Sequence, residues 1–85
     1  MTHQVPIEDT LDLHMFVPRD IPSVVREYLW KAKELGLLKI RLVHGRGTGF
    51  QRRAVQRVLQ EHPLVLEFWD APDSRLGATI ARLAE

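Results

Sequence analysis

A glycine-rich segment, residues 44–49, has the composition of an anion-binding loop. Its members are His44, Gly45, Arg46, Gly47, Thr48 and Gly49. The segment lies between a predicted strand and a predicted helix, so backbone N–H groups and a helix N-terminus would surround a bound anion. The glycines permit positive φ and a close approach of a phosphate, and Arg46 can donate two hydrogen bonds to it. We therefore expect a phosphate site here, with an ordinary glycine-rich turn as the alternative.

Asp12 and His14 form a candidate acid–base pair. They lie two residues apart in a predicted strand at residues 10–14, so their side chains share one face at its carboxyl end. Ligand sites of open α/β sheets lie at that edge, and the glycine loop leaves a second predicted strand there. If the two strands are neighbours, Asp12, His14 and His44 converge beside the phosphate. Such a pair can position a general base or bind a divalent cation, Mg²⁺ or Mn²⁺. The alternative is that His14 only hydrogen-bonds to the adjacent turn.

Positive charge is concentrated in the middle of the chain. The formal net charge is only +1, yet residues 39–57 hold six of the twelve cationic residues and no acidic residue. The six are Lys39, Arg41, Arg46, Arg52, Arg53 and Arg57. A local basic block in a nearly neutral protein indicates an anionic partner at that place, and a solvated helix face beside a strand edge is the alternative.

Hydrophobic periodicity predicts the elements that position these residues. It predicts strands at 10–14, 39–43, 64–69 and 78–83, and helices at 21–35 and from residue 50 or 51 to 61. The length of segment 78–83 also allows a helical turn. Asp20 can cap the first helix and Gly36 can end it, and an apolar stripe runs from Ile21 to Leu35. Residues 1–9 are expected to form a flexible arm, and residues 10–85 a single domain.

The order strand–helix–strand–helix–strand–strand indicates an α/β fold, a two-layer sandwich with a mixed four-stranded sheet and two helices. The two strand–helix–strand crossovers favour parallel pairing, and the last two strands can form an antiparallel hairpin. Both helices are expected on one face of the sheet, which leaves the other face open to a protein partner. Trp30 falls opposite the apolar stripe, where it offers a partner or stacking surface, or alternatively folds over the stems of Arg26 and Lys33. Trp69 is expected to be half-buried in the core.

Composition excludes several classes of protein. The sequence has no cysteine, which excludes disulfide scaffolds, thiolate zinc sites and cysteine nucleophiles. No apolar run approaches the roughly 18 residues of a membrane span, and we predict neither a membrane segment nor a signal peptide. A cytoplasmic location is expected. The loop is not a Walker A loop, because the Gly-Lys-Ser/Thr ending is missing.

Three motifs of this sequence resemble the Smr (small MutS-related) domain family. They are Leu11-Asp12-Leu13-His14, the loop at residues 44–49, and Gly77-Ala78-Thr79-Ile80. The resemblance covers roughly residues 10–84, and three motifs in this order and spacing are fairly specific. Met15 stands where the family commonly has glycine, and Leu76 precedes Gly77 where paired glycines are common. By this resemblance the chain would be of the stand-alone kind.

The resemblance implies a fold similar to the C-terminal domain of translation initiation factor three. It also implies a protein that binds DNA or RNA and has endonuclease (nicking) activity. Asp12 and His14 would be catalytic, His44 and the glycine loop would complete the site, and Arg46 would hold the scissile phosphate. Our own hypothesis is that His44 protonates the leaving oxygen. The residues expected to contact the nucleic-acid backbone are Lys39, Arg41, Arg52, Arg53 and Arg57. The alternatives are a binding module without chemistry and an interaction domain of a repair or translation assembly.

Overall fold

A mixed sheet of four strands carries two helices in a computed structural model that describes residues 9–85. The strands are β1 (Thr10–Asp12), β2 (Lys39–Val43), β3 (Val65–Asp70) and β4 (Ala78–Leu83). The helices are α1 (Ile21–Glu34) and α2 (Phe50–Glu61), and two 3-10 turns at Leu13–Met15 and Pro18–Asp20 precede α1. The predicted α/β class and the number of elements are therefore confirmed. The predicted N-terminal arm lies outside the described residues, apart from Asp9.

The strand order β1-β2-β4-β3 places the last strand in the middle of the sheet. β1 pairs with β2 in parallel, with Leu11 opposite Leu42, and β4 is antiparallel to both β2 and β3. The hairpin between β3 and β4 is confirmed, but the predicted parallel pairing through the second crossover is wrong, because β4 separates β2 from β3. β4 is largely buried, and a central position pairs both of its edges.

The core lies between the helices and one face of the sheet. The stripe of α1 is buried from Ile21 to Ala32, and it packs against Val55 and Leu59 of α2 and against the inward residues of the strands. Those inward residues are Leu11, Ile40, Leu42, Ala81 and Leu83. Both helices share this core, so both cover the same face, as predicted. Because β1 and β2 are parallel neighbours in this sheet, their carboxyl ends lie side by side.

Both ends of α1 differ from the sequence expectation. Asp20 makes no side-chain capping bond, because a 3-10 turn runs directly into the helix and leaves Asp20 in a helical conformation. At the other end, Gly36 has φ +74° and its N–H donates to the carbonyl of Lys33, so it stops the helix as expected. Leu35 was expected in the apolar stripe, but it is about half exposed because the helix ends before it.

The opposite face of the sheet carries no helix among the described residues. Trp69 lies on it, in a cross-strand row with Ile80 and Arg41, and it is 36% exposed. The expectation that Trp69 belongs to the core is therefore wrong. The alternation of β3 directs Phe68, its neighbour, towards the core instead.

Candidate active site

The Leu11-Asp12-Leu13-His14 segment leaves the sheet earlier than its alternation predicts. β1 ends at Asp12, and a 3-10 turn begins at Leu13. Leu11 and Leu13 are both buried, at 0% and 2% exposure, so the turn keeps the apolar pair inside while it releases His14 from the strand. The prediction that Asp12 and His14 share a strand face is wrong, because only Asp12 is in the strand. The two side chains nevertheless meet.

Asp12 orients the imidazole of His14. Its Oδ1 accepts a hydrogen bond from the backbone N–H of His14 at 2.9 Å and another from the ring Nδ1 at 2.8 Å. The backbone N–H of His14 and then its ring lower the pKa of Asp12 below its ordinary value. An ionised carboxylate can only accept, so Nδ1 carries the proton and Nε2 of the neutral ring has a free lone pair. Both side chains are more than half exposed.

The glycine loop lies directly against this imidazole. Gly45 has φ +81°, and a Cβ atom added to it would stand 2.8 Å from Nε2 of His14. This approach follows from the parallel pairing of β1 and β2, which brings the loop after β2 beside the turn after β1. His14 and residues 44–49 line one open cleft of about 530 Å³. The predicted meeting of the two motifs at one sheet edge is therefore confirmed.

His44 lies at this edge but is turned into the protein. It is 5% exposed, and its Nδ1 donates to the carbonyl of Gly45 at 2.9 Å. Because that nitrogen holds the proton, Nε2 of the neutral ring accepts the hydroxyl hydrogen of Thr79 at 2.9 Å. Burial is the main cause that lowers the pKa of His44, which favours the neutral ring. Both ring nitrogens are thus occupied by partners within the protein.

A chain of side-chain hydrogen bonds continues from His44 to the surface. The hydroxyl of Thr79 accepts from Nε2 of Gln56 at 3.0 Å, and the same nitrogen donates to Oδ1 of Asp70 at 3.1 Å. Arg52 completes the chain with two bonds to the carboxylate of Asp70, at 2.7 and 2.8 Å. These bonds from Arg52 are the main cause that lowers the pKa of Asp70. We call these five residues the His44 network.

Three members of the His44 network were not predicted. Thr79, Gln56 and Asp70 lie on β4, α2 and β3, so no local pattern brings them together. The available signals were a hydroxyl in the apolar β4 segment and an amide four residues after Arg52 on the helix. Gln51 was also missed: it lines the cleft, and its Oε1 is buried without a hydrogen-bond partner in the described part of the chain.

The basic block does not form one surface. Lys39 and Arg41 lie on the open face of the sheet, where Arg41 contacts Asp73 at 3.2 Å. Arg52 belongs to the His44 network, whereas Arg53 and Arg57 lie exposed on α2. Arg46 is exposed in the loop. The sequence places these cations in one run, but the sheet separates them into two layers.

The turn that ends at Gly77 is hydrogen-bonded to the start of the glycine loop. The carbonyl of Gly77 accepts hydrogen bonds from the N–H groups of His44 and Gly45, at 3.0 and 2.8 Å. The preceding residues, Arg75 and Leu76, both have left-handed backbone, with φ +52° and +69°. This conformation costs a non-glycine residue roughly 1–2 kcal/mol, so Leu76 carries strain at a position where glycine would be relaxed.

No cluster of three or more metal-ligating side chains occurs among residues 9–85. The predicted ligands Asp12 and His14 contact each other, but Oδ1 of Asp12 is already bonded to His14, and only His14 of the two lines the cleft. None of the described helices is long and apolar enough to cross a membrane. Trp30, a predicted partner surface, is about half exposed and packs edge-on against His62, with ring centroids 5.3 Å apart.

Comparisons with known proteins agree with these motifs. A model of the Smr domain family matches residues 11–84. The chain is 38% identical, over 63 residues, to the endonuclease MutS2 of Caldicellulosiruptor saccharolyticus; the match covers 72% of this chain and 8% of that protein. The chain therefore spans less than a tenth of the length of that relative.

Two solved structures share the fold. The Smr domain of Thermus thermophilus MutS2 superposes with a TM-score of 0.84 at 33% identity, covering 89% of this chain and 98% of that domain. YdaL, a stand-alone small MutS-related protein from Escherichia coli, has a TM-score of 0.83 at 23% identity, covering 96% of this chain and 69% of YdaL. At that identity the second likeness concerns the fold alone.

Proposed function

Because the chain belongs to the Smr domain family, we propose that it binds nucleic acid and cleaves phosphodiester bonds at the Asp12–His14 pair. The observation that carries this proposal is the exposed imidazole of His14, oriented by Asp12 and set against the glycine loop. The MutS2 relative is named as an endonuclease, which agrees with this chemistry. DNA and RNA are both candidate substrates.

In the proposed reaction, His14 is the general base. Its Nε2 takes a proton from the attacking water, the water oxygen bonds to phosphorus, and the bond from phosphorus to the leaving oxygen breaks. Asp12 holds the ring by the bond to Nδ1 and stabilises the imidazolium that forms. The leaving oxygen takes its proton from solvent. Asp12 suits this role because its lowered pKa keeps it ionised.

The scissile phosphate is assigned to the glycine loop. The N–H groups of Gly45 and Gly49 are already bonded to the carbonyls of Gly77 and Arg46. We therefore assign the phosphate contacts to the backbone of Gly47 and Thr48 and to the exposed guanidinium of Arg46. Donors that are fixed in place before the reaction stabilise the charge that develops on the phosphate oxygens.

His44 is proposed as a positioning residue, in place of the proton donor expected from the sequence. Both of its ring nitrogens are hydrogen-bonded within the protein, so neither can protonate a leaving group. Its bond to the carbonyl of Gly45 instead fixes the backbone of the residue that faces Nε2 of His14. His44 thus connects the His44 network to the backbone of Gly45, which lies against the catalytic pair.

Asp12 is the one carboxylate of the candidate pair, and it lies beside the cleft through its bond to His14 without lining the cleft itself. Mg²⁺ is commonly held by one or two carboxylates together with substrate phosphates, and Oδ2 of Asp12 fits that arrangement. The described residues do not build a complete resident site. The expectation of Mg²⁺ or Mn²⁺ therefore stays a prediction, which a chelator tests directly.

The proposal is tested by cleavage of supercoiled plasmid and of a structured RNA, each with Mg²⁺, Mn²⁺ or EDTA. Nicking by the wild-type protein should disappear in Asp12→Ala and His14→Ala. Glu34→Ala serves as the matched control, since it removes an exposed carboxylate at the far end of α1 and should cut like the wild type. An Asp12→Ala protein that cuts at the wild-type rate would remove the catalytic assignment.

A binding module without chemistry is the second candidate. It is favoured by the burial of His44, which removes the expected proton donor and leaves two exposed acid–base groups, Asp12 and His14, of the three predicted. In that case no metal condition yields cutting, while salt-sensitive binding persists and Arg46→Ala weakens it. A protein partner on the open sheet face or at Trp30, and a cytoplasmic location, stay predictions.

A further inference from the structure

A groove between α1 and α2 continues from the catalytic cleft. It has a volume of about 270 Å³, and its polar walls come from Arg26 of α1 and from Arg53 and Arg57 of α2. Phe50 lines both this groove and the cleft that contains His14, so this residue lies at their junction. A chain bound at the cleft can therefore extend along the groove without leaving the surface.

Positive charge outweighs negative charge in this groove. Arg41, Arg52 and Arg82 each form an ion pair with a carboxylate, whereas no ion pair of Arg53 or Arg57 occurs in the described structure. Arg53 also reaches the glycine loop, since its Nη1 would lie 3.2 Å from a Cβ on Gly49. One acidic side chain, Glu61, lines the groove at the end of α2. The groove is thus electrostatically suited to a polyanion.

Phe50 adds a feature that phosphate binding alone does not need. It is the first residue of α2, directly after Gly49 with φ +86°, and its side chain is 60% exposed. An aromatic ring held in solvent beside arginines is the arrangement that stacks a nucleobase, because every base has a π face. A base inside a duplex is already stacked on both sides and cannot offer that face.

We propose that the groove binds a single-stranded or unpaired segment of the substrate, with one base stacked on Phe50 and phosphates on Arg53 and Arg57. The helix rises about 10 Å from Phe50 to Arg57, at about 1.5 Å per residue, so the base contact and the phosphate contacts lie on successive turns of α2. This inference rests on the proposed function and names its substrate class. Cleavage would then occur where a single strand leaves the groove and passes His14.

Binding of fluorescent oligo(dT) and oligo(rU) tests the stacking contact by anisotropy. Phe50→Ala should weaken binding about 5- to 150-fold, the factor expected for loss of one base–aromatic stack. Trp30→Ala and Trp69→Ala are the matched controls, because each removes an exposed aromatic ring outside the groove. Both variants should bind the oligonucleotides like the wild type. Binding of a fully paired duplex should not change in Phe50→Ala.

A spectroscopic test separates stacking from general loss of contact. Phe50→Trp, in a protein whose Trp30 and Trp69 are changed to Phe, places the tryptophan signal at the groove. Its emission should be quenched by oligo(dT) but not by an abasic strand with the same number of phosphates. Unquenched emission while anisotropy reports binding would overturn the inference.

The two proposals fail in different ways. If Phe50→Ala binds oligo(dT) like the wild type while Asp12→Ala abolishes cleavage, the stacking inference is wrong and the proposed function stands. If the wild-type protein neither binds nor cuts any of these substrates, the proposed function fails and the inference falls with it. Because Phe50 is mostly exposed, Phe50→Ala should keep the thermal unfolding of the wild type.

Discussion

Gly45→Ala is the substitution that most directly perturbs the proposed catalytic geometry. The added Cβ would stand 2.8 Å from Nε2 of His14, and an ordinary contact between such atoms begins at about 3.4 Å. The imidazole must therefore withdraw by about half an ångström or more. That movement strains the 2.8 Å hydrogen bond to Asp12, which fixes the ring. The variant changes no charged or titrating group, so its effect reports on position alone.

Two effects of Gly45→Ala can be separated in magnitude. The left-handed conformation at φ +81° costs alanine about 1–2 kcal/mol, and one kcal/mol lowers Tm by about 4–8 °C in a domain of this size. Displacement of a catalytic group by about 1 Å costs about 100-fold in rate. We therefore expect a lower Tm and a cleavage rate reduced about 10- to 100-fold, with affinity for oligonucleotide retained.

Gly36→Ala is the matched control for this experiment. Gly36 also has a left-handed backbone, with φ +74°, but a Cβ on it would meet nothing within 4 Å. Its loss of Tm should be similar, and its cleavage rate should equal that of the wild type. Thermal unfolding followed by circular dichroism and single-turnover cleavage give the two quantities. Gly45→Ala cutting at the wild-type rate would refute the assignment of His14.

Three further predictions concern stability and charge. Thr79→Val removes the hydroxyl between His44 and its network and should cost about 1–3 kcal/mol in urea unfolding, whereas Thr79→Ser should cost less; equal stability of the two variants would contradict the network. Arg57→Gln should reduce the slope of log K against log salt by about 0.7–0.9, while Arg52→Gln should leave that slope unchanged because Asp70 holds the guanidinium. Burial lowers the pKa of His44 and of His62 in the folded protein, so these two residues bind more protons in the unfolded chain at mildly acidic pH. The free energy of unfolding should therefore fall as the pH drops below about 6.5, and equal stability at pH 8 and pH 5.5 would contradict this reasoning.

Most helices and strands could be predicted because their hydrophobic patterns are local. The stripe of α1 and the alternation of β2 lie within single segments, and the structure keeps their bounds within a residue or two. β1 was predicted too long because alternation from Leu11 to His14 is compatible with a strand and with a turn. β1 ends at Asp12 because its partner there is Val43, the last residue of β2, so Leu13 has no β2 residue left to pair with. The central position of β4 was missed because strand order depends on contacts between distant segments.

Part of the candidate site could also be predicted. The nearness of Asp12, His14 and the glycine loop follows from one parallel pairing, which the sequence indicated. The inward orientation of His44 could not be predicted, since it depends on a hydroxyl 35 residues away in the chain. Likewise, the sequence shows that Arg52 and Arg53 are adjacent, but it does not show that Asp70 binds the guanidinium of Arg52 and leaves that of Arg53 unpaired within residues 9–85.

The most direct test of the central claim is whether Asp12 and His14 act as one unit. Single-turnover cleavage of the best substrate is measured for the wild type, Asp12→Asn, His14→Gln and the double variant. Residues that serve a single catalytic step are strongly non-additive, so the double variant should lose no more rate than the worse single variant. Rate losses that multiply would mean independent roles, and wild-type cleavage by Asp12→Asn would contradict the account altogether.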